Sequence, residues 1–78
     1  MTTTLIINKN DLSKTSCFVS HDETTLFFEI GDKNYSFDIL KTGKNKIKFE
    51  VLSDDYLRIV IHYFIDYRIN FKCVSTIE

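Results

Sequence analysis

The chain has 78 residues, a net charge of −1, 44% hydrophobic and 14% aromatic residues, and no Ala, Pro, Gln or Trp. A chain this short reads as one domain that buries only about 60% of its unfolded surface. That size disfavours a deep, water-excluding active site and favours a flat or ridged binding surface. The surplus of Ile, Asn, Lys and Phe fits the coding bias of an AT-rich genome.

Thr2 to Asn8 reads as a strand, rich in β-branched residues, that ends at a polar Asn8-Lys9-Asn10-Asp11 turn. The same N-terminal stretch has no basic segment ahead of a long apolar core, so it does not read as a signal peptide. No run reaches the ~18 apolar residues of a membrane span. A cytoplasmic location is expected, in the host cell if the chain is phage-encoded, with no membrane partner. In that compartment Cys17 and Cys73 are expected to be free, buried thiols.

Thr15 to Ser20 is a weaker strand around Cys17, Phe18 and Val19. The clearest element is a hairpin. Leu26, Phe28 and Ile30 alternate with Thr25, Phe27 and Glu29, and Gly31-Asp32-Lys33-Asn34 forms the turn. Tyr35, Phe37 and Ile39 then share one face of the return strand. A second turn, Thr42-Gly43-Lys44-Asn45, leads to a strand with Ile47, Phe49 and Val51 on one side and Lys46, Lys48 and Glu50 on the other.

Ser53-Asp54-Asp55 reads as a helix start: Ser is a good N-cap and two acids suit the positive end of the helix dipole. From Tyr56 to Ile77 there is no Gly or Pro, and every odd position from Leu57 to Cys73 is apolar. As one strand this run far exceeds the usual five or six residues. As a helix over 54–67, Leu57, Val60, Ile61, Phe64 and Ile65 share a face, with Arg58, His62 and Asp66 opposite. Arg68 to Thr76 then returns as a strand with Ile69, Phe71 and Cys73 inward. The competing reading is a β-hairpin bent near Asp66, favoured by Ile59-Val60-Ile61 and Tyr63-Phe64, which would make the chain all-β. The expected fold is α+β: a small antiparallel sheet of five or six strands with one helix packed on it, in the order β-β-β-β-β-α-β.

Catalytic and metal motifs are missing from this pattern. His21-Asp22-Glu23 are adjacent in a turn and cannot converge on one ion without further ligands. The two cysteines are not paired as Cys-x-x-Cys. The His62–Asp66 pair has no nucleophile beside it by sequence and reads as a solvated helix face. No enzyme activity, cofactor or metal is expected.

Two surfaces carry the functional expectation. The first is apolar: Tyr56, Ile59, Tyr63 and Phe27, with Leu40 and Leu52, lie outside the main core faces. Tyr suits a docking surface, having a large apolar body and a polar tip. The expectation is a small non-catalytic module that binds a protein partner. Size and composition alone suggest, by analogy with anti-CRISPR and toxin-immunity proteins, a viral accessory inhibitor of a host defence or host enzyme. The second surface is the hairpin Lys41, Lys44, Lys46 and Lys48, which contains no acid and could track phosphates of a nucleic acid; its bland reading is lysines that block edge-to-edge strand pairing. A homodimer or other homo-oligomeric assembly is the third expectation, driven by the same apolar helix.

Overall fold

The computed structural model describes residues 2–76. The elements are β1 (Thr2–Asn8), a 3₁₀ helix (Lys9–Lys14), β2 (Cys17–Val19), β3 (Thr25–Ile30), β4 (Lys33–Thr42), β5 (Lys46–Val51), α1 (Asp54–Asp66) and β6 (Phe71–Thr76). The α+β order expected from the sequence is the observed one, with the 3₁₀ helix standing where a simple turn was expected. All six strands form a single antiparallel sheet in the order β2-β3-β4-β5-β1-β6. No helix among the described residues is long and apolar enough to cross a membrane.

Turn chemistry sets the β3–β4 register. Ile30 pairs with Lys33, so the loop is the two residues Gly31 and Asp32. Gly31 has φ +63°, which a glycine adopts without penalty at the first central position of a tight hairpin turn. Further along, the β4–β5 pairing skips Leu40: Ile39 faces Phe49 and Lys41 faces Lys48. This bulge resets which residues of β4 point to which side.

One sheet face is covered. Leu5 and Ile7 (β1), Leu26 and Phe28 (β3), Phe37 (β4) and Ile47, Phe49 and Val51 (β5) are buried there with Val60, Tyr63 and Phe64 of α1. The middle of this core is aromatic. Phe28 lies 5.6 Å from Phe64, 5.9 Å from Phe49 and 5.9 Å from Tyr63, in tilted or edge-on contacts that suit ring quadrupoles. The 3₁₀ helix lies on the same side. Leu12 packs against the core, and the Ser16 amide donates to the Tyr63 hydroxyl at 3.3 Å.

Helix α1 sits on the sheet turned from its expected orientation. The helical 3.6-residue period places Ile65 inward and Tyr63 outward. The structure buries Tyr63 and leaves Ile65 60% exposed. The aromatic ring reaches Phe28 and the Ser16 amide, an anchorage the shorter Ile65 cannot supply. At the N-terminus Ser53 takes the extended cap backbone and its carbonyl accepts from Leu57 N–H, but its hydroxyl makes no cap bond. At the C-terminus Arg68 adopts φ +56°. Ile69 N–H reaches Phe64 O at 2.8 Å and Arg68 N–H reaches Ile65 O at 3.2 Å. That is a Schellman stop with arginine in the usual glycine place, and it aims the chain into β6.

Candidate functional site: the open sheet face

The N-terminal strands do not fold over as a second layer. β1 inserts between β5 and β6, and β2 adds at the far edge beside β3. Both α1 and the 3₁₀ helix are spent on one side. Among the described residues, no element covers the other side.

Register places the side chains of this open face. In one row Phe18 of β2 faces Phe27 of β3, which faces Ser36 of β4. The next row runs Thr25, Asp38, Glu50, Thr4 and Val74. A third runs Lys41, Lys48, Ile6 and Lys72, and beyond it Lys46 faces Asn8. The face is therefore striped along the strands: aromatic, acidic, basic.

The aromatic stripe is an exposed stacked pair. The Phe18 and Phe27 rings are 5.0 Å apart at 20°, and Phe18 is 60% exposed. Fully burying a phenylalanine side chain contributes about 1.5–3 kcal/mol, and most of that is unrealised for Phe18. Ser36 continues this row into a hollow of about 170 Å³ beyond the end of β5 and beside the middle of β4, lined also by Phe37, Leu52, Tyr56 and the acids Asp38 and Glu50. Leu52 is 68% exposed. Tyr56, at the start of α1, leans its ring on Tyr35 (5.7 Å) and Phe37 (6.5 Å) while staying half exposed.

Of the four residues expected to bind a partner, two belong to this patch. Phe27 is on the open face, half-buried under Phe18, and Tyr56 lines the hollow. The other two do not. Tyr63 is core, because its ring completes the aromatic cluster and its hydroxyl holds Ser16. Ile59 is half-buried and lines a separate open groove with Arg58, His62, Asp66 and Glu29. In that groove the expected ridge of Arg58, His62 and Asp66 is exposed, and no ion pair joins its members among the described residues. Phe18 was not singled out in the sequence, where its partner across β2–β3 is invisible.

Lys41, Lys44, Lys46 and Lys48 are all exposed around the β4–β5 turn, which Gly43 N–H closes onto Lys46 O at 2.8 Å. The edge-blocking reading fails for Lys48, since β5 lies between β4 and β1, and fits Lys41, which lies on β4 beyond the last β3 pair, Thr25–Asp38. The one ion pair among the described residues is Lys14–Asp11, at 2.9 Å, elsewhere in the molecule.

Asp22 and Cys17 serve the fold. Asp22 accepts from Ser20 Oγ (2.6 Å), Thr24 Oγ1 (2.7 Å) and Thr24 N (3.2 Å). Those bonds hold its carboxyl below the usual carboxylate range and staple the β2–β3 turn, where Glu23 has φ +59°. Both cysteines are free. Burial pushes the Cys17 thiol up to about 12, so it stays protonated and unreactive. Cys73, expected inside, is exposed: it faces Leu5 across β1–β6, but β6 is the sheet edge. Among the described residues, no three His, Cys, Asp or Glu side chains gather around a common point.

No protein family, curated protein or solved structure matches this chain.

Proposed function

We propose that the chain is a small, non-catalytic protein-binding module that docks a partner protein through the aromatic end of its open sheet face. One observation carries this: the stacked, exposed Phe18–Phe27 pair runs through Ser36 into a hollow walled by Leu52 and Tyr56. Protein interfaces concentrate their energy in a few aromatic anchors set beside pockets, and a large apolar patch on a small domain needs a cover. An inhibitor that acts by occupying a partner's surface needs no more than this. The viral, host-defence-evading version of that role rests on size and composition alone.

The test uses the tagged chain to capture partners from a nuclease-treated bacterial lysate, read by mass spectrometry. A stoichiometric protein captured by the parent and lost with both Phe18→Asp and Tyr56→Asp supports the reading. Both positions are exposed enough for the variants to keep the parent circular dichroism spectrum. A partner retained by both folded variants refutes the docking surface. Light scattering of the purified chain separates the homo-oligomer: a monomer at micromolar concentration removes it.

A further inference from the structure

Sheet pairing gathers more positive charge than the hairpin alone contains. Lys41 and Lys48 lie directly across β4–β5, Ile6 follows on β1, and Lys72 completes the row on β6. This array crosses four strands, three spacings of about 4.8 Å, or roughly 14 Å. Lys46 lies one row further along, and between it and Lys72 the surface dips into a groove of about 300 Å³. That groove is lined by Asn8 and Asn70 as well as the two ammonium groups. No acid lies within ion-pair distance of any of the four lysines among the described residues.

Structure alone gives Lys48 no task. Like charges directly opposite each other in a sheet are destabilising, and Lys41 opposes Lys48. Edge protection does not account for Lys48, which β4 and β1 flank on both sides, whereas Lys41 lies on β4 beyond the last β3 pair and Lys72 lies on the edge strand β6. The array is also too long for one small anion, and the ring that lines the groove, Phe71, is packed on Phe64 at 5.5 Å rather than free to stack a base.

We propose that this basic half of the open face binds the phosphodiester backbone of a nucleic acid without reading its sequence. Lys41, Lys48 and Lys72 contact successive phosphates, and the Lys46–Lys72 groove, with its two asparagine amides, seats one of them. This proposal stands independently of the aromatic docking surface, whose hollow has Asp38 and Glu50 on the side towards the lysines.

Fluorescence anisotropy with a labelled random strand of roughly 20 nucleotides, alone and as duplex, tests it. Binding in the micromolar range at about 50 mM salt is expected, with a log–log salt slope on duplex of about −2.7 for three phosphates. Lys48→Glu with Lys72→Glu should weaken binding at least tenfold. Lys33→Glu with Arg58→Glu, placed off this face, makes the same net change from −1 to −5 (two reversals of −2 each) and should leave most of the affinity. Phe18→Asp should leave all of it. Absence of binding to either probe at about 100 µM protein overturns the proposal, as does equal loss in the two charge-reversed pairs. Binding of poly-glutamate with neither nucleic acid bound overturns it in favour of an acidic protein. Circular dichroism of each variant confirms that a lost signal is not lost fold.

Discussion

Replacing Tyr63 and Ile65 by alanine, one at a time, asks which side of α1 the sheet packs against. Tyr63 is 6% exposed, with its ring 5.9 Å from Phe28 and 4.6 Å from Tyr67. Truncating a buried aromatic residue costs about 3–5 kcal/mol. Leaving the Ser16 amide without the Tyr63 hydroxyl adds about 1 kcal/mol. Ile65 is 60% exposed, so less than half of its side chain leaves water on folding. Full burial of isoleucine contributes about 1.5–3 kcal/mol, so this share is roughly 1 kcal/mol, offset by a few tenths from the better helix propensity of alanine. Urea unfolding followed by circular dichroism should therefore show Tyr63→Ala losing at least about 3 kcal/mol and Ile65→Ala less than about 1 kcal/mol. The whole chain has on the order of 4–12 kcal/mol to lose, so Tyr63→Ala can unfold it outright. Tyr63→Phe keeps the ring and should then cost only about 1 kcal/mol. An Ile65→Ala variant that loses as much as Tyr63→Ala would show that the helix packs the way its 3.6-residue period alone suggests, and the reasoning from ring contacts would fail.

Other consequences are as direct. Arg68→Gly removes a left-handed strain of about 1–2 kcal/mol and adds unfolded-chain entropy of about 0.5–1 kcal/mol. The variant should gain about 0.5–1 kcal/mol, read as a rise of a few degrees in Tm; a fall would deny the Schellman stop. Ellman's reagent at pH 8 should titrate one thiol, Cys73, in the folded protein and two in denaturant; rapid reaction of both would contradict the burial of Cys17. Because the folded Cys17 holds its proton up to about 12, its contribution is complete below the ordinary thiol pKa and is lost as pH rises through that window. Asp22 runs the opposite way. Its lowered folded pKa makes its contribution present above the unfolded value of about 3.9 and lost as pH falls through the folded one. The stability gap between parent and Asp22→Asn should thus be flat at neutral pH and close in acid; a gap independent of pH down to full protonation would count against the Ser20–Thr24 staple.

Much of the fold is legible from local pattern. Alternation on either side of Gly31-Asp32 marks β3 and β4, and the excessive length of the 56–77 run as a strand marks a helix inside it. What pattern cannot carry is long-range pairing. Nothing near Thr2–Asn8 says that β1 slots between β5 and β6, so nothing says that one sheet face stays bare. The candidate sites divide on the same line. Lys41, Lys46 and Lys48 share a hairpin and are visible as a group, whereas Lys72 joins them only through the β1–β6 register. Phe27 is visible as an outward residue, but its stacking on Phe18 depends on β2–β3 pairing. Tyr63 was misplaced because the 3.6-residue period marks an apolar stripe without saying which of two neighbouring apolar residues lies at its centre. Contact with Phe28 and Ser16, distant in sequence, decides that.

The central claim is that the aromatic end of the open face meets a protein. Hydroxyl-radical footprinting of the free chain and of its complex with the captured partner tests it most directly. Phe18 should be oxidised readily in the free chain and protected in the complex, while Phe64, buried in the core, stays protected in both. A Phe18 ring equally reactive free and bound would place the interface elsewhere and contradict the account.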